Sequence, residues 1–213
     1  LFSVQTCLQT ITTKSQRASS HLVPIIKSLL QKHSLDLADV SFIAIDAGPG
    51  AFTSLRVGIA TINGIARGSK IPVIGVNGLT ALQKHLEKAT KEKNISPDYI
   101  VCLLNAYGDD VHWLIKNMNK PDEASGCLNK KAFVKKLQET IKPNSSLLFA
   151  GNGVSMCQQE LAEAGLTSSI NPDSLPTVAP VEEIAQEGLA LWKNPSNPRG
   201  SEVFPNYGKQ HKF

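Results

Sequence analysis

Asp46-Ala47-Gly48-Pro49-Gly50-Ala51-Phe52-Thr53-Ser54-Leu55-Arg56-Val57-Gly58 is the stretch that decides the fold of this chain. Residues 41–46, Ser-Phe-Ile-Ala-Ile-Asp, lead into it as a short apolar run of strand length. Gly48-Pro49-Gly50 is a turn, and the residues after it read as a helix over 53–67. Residues 70–76 form the next strand, with Pro72 pointing to an early or edge position. A charged amphipathic helix follows over 79–91. Strand, glycine turn, helix, strand, helix is the grammar of an α/β fold.

Upstream, Leu22, Ile25, Ile26, Leu29 and Leu30 recur at i, i+3, i+4, i+7 and i+8. This spacing predicts a helix over 20–33 with one apolar face. Ser19-Ser20 reads as its N-cap, and Pro24 would fall in the first turn, where its missing N–H costs little. Downstream, Asn94-Ile95-Ser96-Pro97 breaks the chain, so a first part over 1–97 and a second over 98–213 are expected. The second part reads as a strand over 98–105, a turn at Gly108-Asp109-Asp110 and a return strand over 111–116. A polar loop over 121–126, a helix over 132–141 and a strand over 147–150 follow, the last ending at Gly151-Asn152-Gly153. A helix over 155–164 is closed by Gly165, and one over 181–193 is opened by Pro180. No repeat of fixed period and no low-complexity segment is visible.

Composition bounds the class. The 213 residues are 41% hydrophobic and 19% charged, ordinary for a globular protein. A chain of this size can bury roughly 70% of its unfolded surface. No apolar run reaches the ~20 residues of a membrane helix. Leu1-Phe2-Ser3-Val4 has no basic region before it and reads as no signal peptide. Cys7, Cys102, Cys127 and Cys157 form no Cys-x-x-Cys pair, so reduced thiols and a cytoplasmic location are expected. The Asn-x-Ser sequons at Asn94 and Asn144 are then chance matches. Net charge is +4, with a basic tail carrying Lys193, Arg199, Lys209 and Lys212 against Glu202. Such a tail could touch RNA phosphates, though a solvated terminus accounts for it as well.

The candidate chemistry is sparse. A glycine turn before a helix can let a phosphate approach free N–H groups, which makes Gly48, Gly50 and Thr53 a candidate phosphate-facing turn. The Lys-Ser/Thr pair of a P-loop and the Gly-x-Gly-x-x-Gly fingerprint are both missing. His21 has Ile25 four residues on, and His33, His85, His112 and His211 are scattered, so no metal is expected. There is no Gly-x-Ser-x-Gly elbow, and no cysteine stands beside a base. Asp46 is the best candidate acid, and a capping role at the turn explains it equally. The helix after the turn is unusual in another way. Ala60, Gly64 and Gly68 are spaced by four, as are Ser54 and Gly58. Glycine inside a helix costs about 0.8–1.0 kcal/mol against Ala. Small residues at this spacing make a shallow groove that another helix can enter closely.

Residues 48–60 resemble the G-P-G-S-F-T-G-L-R-I-G-x-A signature of the TsaB (YeaZ) family. Ile71-Pro72-Val73-Ile74-Gly75-Val76-Asn77-Gly78-Leu79 is similar to that family's I-P-L-x-G-V-S-S-L. Ser20-His21-Leu22-Val23-Pro24, Asp110-Val111-His112-Trp113 and Pro205-Asn206-Tyr207 resemble its helix, hairpin and closing motifs. The likeness is densest over 42–79 and thin after 116. Ala51 stands for the usual Ser, Ser54 for Gly, Asn105 for Asp and Tyr107 for Arg.

The resemblance implies the two-lobed α/β fold of the actin, Hsp70 and sugar-kinase superfamily (ribonuclease H-like). The family's opening strand, with its Asp-Thr-Ser segment, has no counterpart here, so the first strand is expected to be missing from this chain. It implies a non-catalytic subunit in making threonylcarbamoyladenosine in tRNA, paired with a TsaD-like paralogue and joined by a TsaE-like ATPase. No cofactor is expected on this chain alone; ATP would be used by the complex. tRNA would be met only through the complex, and the isolated chain would form a homodimer. The partner face would be built from Leu22, Ile26 and Leu29 on the first helix with Thr53, Ser54, Val57, Ala60, Thr61 and Gly64 on the second. The alternatives are an ATP-dependent transferase or kinase of the same superfamily, and a peptidase. The first needs a full set of acids and glycines for phosphate and Mg²⁺, and the second a nucleophile or metal.

Overall fold

The structure is a computed structural model that describes residues 1–3, 6–13, 18–166, 175–197 and 199–208. In chain order the elements are β1 (Phe2–Ser3), β2 (Thr6–Cys7), α1 (Ala18–Lys32), β3 (Ile43–Asp46), α2 (Phe52–Ser69), β4 (Val73–Val76) and α3 (Gly78–Glu92). Then come β5 (Tyr99–Asn105), β6 (Asp110–Asn117), β7 (Glu123–Asn129), α4 (Lys130–Thr140), β8 (Leu147–Ala150), α5 (Gln158–Glu163) and α6 (Val181–Lys193). Short 3₁₀ turns lie at Leu37–Asp39 and Ser155–Cys157.

The chain forms two units. The first comprises residues 1–47, 52–76 and 181–206. Here β3 and β4 pair in parallel, from Ile43 opposite Val73 to Asp46 opposite Val76. Both strands are apolar, as parallel strands covered by helices must be. α2 buries Ile59, Ile62 and Ala66, spaced three and four apart on one helical face. Ile62, Ala66 and Val73 form the core, with Leu22, Ile26, Ile43, Ile45, Ile65 and Val203 packed round it. α6 lies against β3, and the Phe42 and Trp192 rings stack 5.2 Å apart. β1 and β2 pair antiparallel, and an isolated bridge joins Val73 to Gly200.

The second unit comprises residues 48–51, 77–180 and 207–213. Its sheet has the order β7-β6-β5-β8, with β5 antiparallel to β6 and parallel to β8. Successive side chains of a strand point to opposite faces, and β5 is buried on both. Val101 and Leu103 enter one cluster with Trp113, Phe133, Leu137 and Phe149. Ile100, Cys102 and Leu104 enter another with Leu79, Leu82, Leu86 and Leu148. α3 therefore covers one face and α4 the other. Each has an asparagine cap: Thr80 N–H donates to Asn77 Oδ1 at 3.1 Å, and Lys131 N–H to Asn129 Oδ1 at 3.2 Å.

Several expectations are corrected. Of the polar loop expected over 121–126, residues 123–126 open edge strand β7, whose backbone pairs with β6 from Lys116↔Glu123 onward. Backbone pairing holds it although its side chains lack an alternating apolar pattern. α1 opens at Ala18, so Ser19 and Ser20 lie within it and Pro24 lies in its interior. The helix expected over 155–164 is a 3₁₀ turn followed by α5, closed as expected by Gly165 at φ +68°. The division at residue 97 differs from the observed units. α3 packs on the second sheet although it precedes the break, and α6 returns to the first unit.

Candidate partner interface

α2 is amphipathic in an unusual sense, apolar and buried on one side, small and open on the other. Thr53, Ser54, Val57, Ala60 and Gly64 are exposed, and Thr61 is half-buried. A Cβ built on Gly58, Gly64 or Gly68 meets nothing within 4 Å, so no neighbour in the described structure accounts for these glycines. Thr61 Oγ1 donates to the Val57 carbonyl at 2.8 Å, which folds its hydroxyl onto the helix. Asn63 fixes the inner side: its Nδ2 donates to the Val203 carbonyl at 2.9 Å and its Oδ1 accepts from Val203 N–H at 3.0 Å.

The residues expected on α1 have a different setting. Leu22 and Ile26 pack on the core of their own unit, and Leu29 is half-buried. The outward apolar side chains of α1 and α2 are instead Val23, 48% exposed, and Phe52, 50% exposed, with Val57 at 38%. Arg56 lies 3.9 Å over the Phe52 ring, a cation–π contact. Sequence reading passed over Val23 and Phe52; the signal was Phe52 four residues before an arginine at the mouth of a helix.

In the glycine turn, Gly48 and Pro49 are buried and Gly50 is half-buried. The Gly48–Pro49 bond is cis, and Gly78 N–H donates to the Gly48 carbonyl at 2.9 Å. Thr53 is exposed in the first turn of α2. Asp46 ends β3 half-buried.

In the second unit the ionisable groups have structural partners. Asp98 Oδ2 accepts from Ser146 N–H at 2.8 Å and from Ser146 Oγ at 2.9 Å. The backbone bond, then the hydroxyl bond, holds the Asp98 carboxyl below its ordinary value. Lys130 Nζ lies 3.1 Å from Glu160 and 3.5 Å from Asp109. The hydrogen bond that Lys130 donates to Glu160 is the main cause that raises the Lys130 pKa. Burial raises the Cys102 thiol, and pushes the Cys157 thiol up to about 11, so neither is a nucleophile at neutral pH. Among the described residues no group of three His, Cys, Asp or Glu side chains could hold a metal ion, and no helix is long and apolar enough to cross a membrane.

The chain is similar to known proteins. The family model TsaD, tRNA N6-adenosine threonylcarbamoyltransferase, matches residues 11–185. A protein of that name from Phocaeicola vulgatus is 33% identical over 107 residues, 49% of this chain and 32% of that protein. The TsaB protein of Buchnera aphidicola subsp. Acyrthosiphon pisum is 24% identical over 49% of this chain and 45% of its own length. The TsaB protein of Escherichia coli K12 is 33% identical over 30% of this chain and 28% of its own. The chain spans less than half the length of the curated relatives it matches. Among solved structures, a Pseudomonas aeruginosa protein described as similar to peptidase YeaZ has a TM-score of 0.65 at 20% identity, covering 91% of this chain and 85% of the other. YeaZ from Pseudomonas aeruginosa has a TM-score of 0.62 at 21% identity, covering 89% and 85%. The fold is thus the α/β fold expected of the superfamily. The chain belongs to the TsaD family, tRNA N6-adenosine threonylcarbamoyltransferase, and over part of its length is similar to proteins named TsaB.

Proposed function

We propose that this chain is a non-catalytic subunit in threonylcarbamoyladenosine synthesis on tRNA, docking through the outer faces of α1 and α2 onto a TsaD-like catalytic paralogue. The observation that carries the reading is the open small-residue face of α2, in a chain whose family model spans residues 11–185. Two close-packed helices stand 8–10 Å apart, and small residues permit the near end of that range. A TsaE-like ATPase joins the pair, and ATP is used by the complex, not held by this chain alone. tRNA is met within that assembly.

The test is co-purification of the chain with the TsaD-like protein of the same cell, with size measured with and without ATP. A stable complex is expected, while the chain alone hydrolyses no ATP. The relatives named as the transferase itself give the competing reading, a catalytic subunit. ATP turnover by the purified chain, abolished by Asp46→Ala, would decide for that reading.

A further inference from the structure

An exposed aromatic and a lysine face occur together in the second unit, and neither serves the docking face above. Tyr107, at the tip between β5 and β6, is 95% exposed. An aromatic ring left in water gains nothing for the fold. The tip is tied to the start of α4: Lys130 N–H donates to the Asp109 carbonyl at 2.9 Å, and Lys130 Nζ lies 3.5 Å from Asp109 Oδ1. α4 reads Lys-Lys-Ala-Phe-Val-Lys-Lys-Leu-Gln-Glu-Thr and buries Phe133, Val134 and Leu137. That burial turns Lys131, Lys135 and Lys136 outward, and all three are exposed. At about 100° per residue, Lys131 and Lys135 lie roughly 40° apart and Lys136 about 100° beyond Lys135, one broad face.

The charges on this face are not spent on the fold. Lys130 is neutralised by Glu160 and Asp109. Lys131 adds only a weaker field at Glu160. Among the described residues no ion pair joins Lys131, Lys135 or Lys136 to a carboxylate, and Glu139 is the one acid on the helix. Two of its lysines stand in the first turn and none in the last, the reverse of what the helix dipole favours.

We propose that the β5–β6 tip and α4 form a contact surface for RNA, in which Tyr107 stacks on an unpaired base and Lys131, Lys135 and Lys136 hold backbone phosphates. Stacking suits an exposed ring because every base has a π-face. Single-stranded loops, whose bases can splay out, are the RNA elements that offer one. The proposal rests on the tRNA-modification reading and gives this chain a direct part in holding the tRNA that the assembly acts on.

The experiment measures anisotropy of a fluorescent, unmodified tRNA transcript on the assembly with the TsaD-like partner, and at 50 mM salt on the chain alone. Lys131→Ala/Lys135→Ala/Lys136→Ala should weaken binding at least tenfold. It should also flatten the salt dependence by about 2 in log–log slope, near 0.7 per lost single-strand phosphate contact. Tyr107→Ala should weaken it about fivefold or more, and Tyr107→Phe less than twofold. Equal binding by wild type, the triple variant and Tyr107→Ala overturns the surface. So does equal binding of the wild type to polyglutamate or to anionic lipid vesicles, which would make it a general cation patch. If no assembly forms, the docking reading fails, and the chain-alone series still decides the RNA surface. If assembly is normal and RNA binding is indifferent to the variants, only the RNA surface fails.

Discussion

Gly151 holds φ at +102°, and a Cβ placed there would stand 2.0 Å from the Leu103 carbonyl oxygen. Only glycine satisfies both constraints. Gly151→Ala should cost at least about 1–3 kcal/mol from backbone strain alone, read as a lower urea midpoint with unchanged slope. The sequence marks Gly151-Asn152-Gly153 as a turn. It does not reveal the closeness to Leu103, which exists only because β8 pairs in parallel with β5. Asp98 carries the pH prediction. Its carboxyl is held below the ordinary value by Ser146, so its stabilisation is complete above the usual aspartate range near pH 4. That stabilisation is lost as pH falls through the lowered folded value. Asp98→Asn should therefore melt earlier than wild type at pH 7, with the gap closing in acid. A gap that persists unchanged at pH 2–3 would show that the charge is not the cause.

Two helix glycines look alike in sequence and differ in place. Gly64 faces open space, whereas a Cβ on Gly188 would stand 2.4 Å from the Ala44 Cβ. Gly64→Leu should raise stability by up to about 1 kcal/mol, since leucine is far the better helix former. The same change should weaken binding to the TsaD-like partner, because it fills the groove. Gly188→Ala should instead lose about 1–3 kcal/mol by overpacking α6 on β3. Thermal melts of both variants with a pull-down of the first check the pair; a Gly64→Leu protein that binds normally removes the groove from the interface. α2 and α3 were legible because Ile59, Ile62 and Ala66, and Leu79, Leu82 and Leu86, repeat at helical spacing. β7 was not, because Glu-Ala-Ser-Gly-Cys-Leu-Asn is held by its neighbour's backbone and not by an apolar alternation of its own. The open face of α2 was legible, because glycines at helical spacing need a reason and the space beside Gly58 and Gly64 is empty. The spacing on α1 did not show that Leu22 and Ile26 belong to the apolar stripe that packs inward.

At the scale of the whole molecule, the chain carries apolar side chains that its own fold leaves in water. Val23, Phe52 and Val57 are 48, 50 and 38% exposed on helices α1 and α2, which pack on each other. Apolar side chains left exposed on two packed helices are the kind of surface that tends to find a partner. A lone chain has one partner always present, a second copy, and the commonest arrangement of two copies is an isologous dimer in which one patch faces itself. The isolated protein should therefore sediment as a dimer at high micromolar concentration and dissociate on dilution. Val57→Lys sets a charge in the middle of the α2 face without touching the buried Ile59, Ile62 and Ala66. In a two-fold interface the substitution enters twice, so like charges meet or are desolvated together. It should yield a monomer with a near-normal melting temperature. On the docking proposed above, the same surface would serve both associations, so the same variant should also fail to bind the TsaD-like partner. A wild-type protein that stays monomeric at high micromolar concentration, or a Val57→Lys dimer, would show that this face is not where copies of the chain meet.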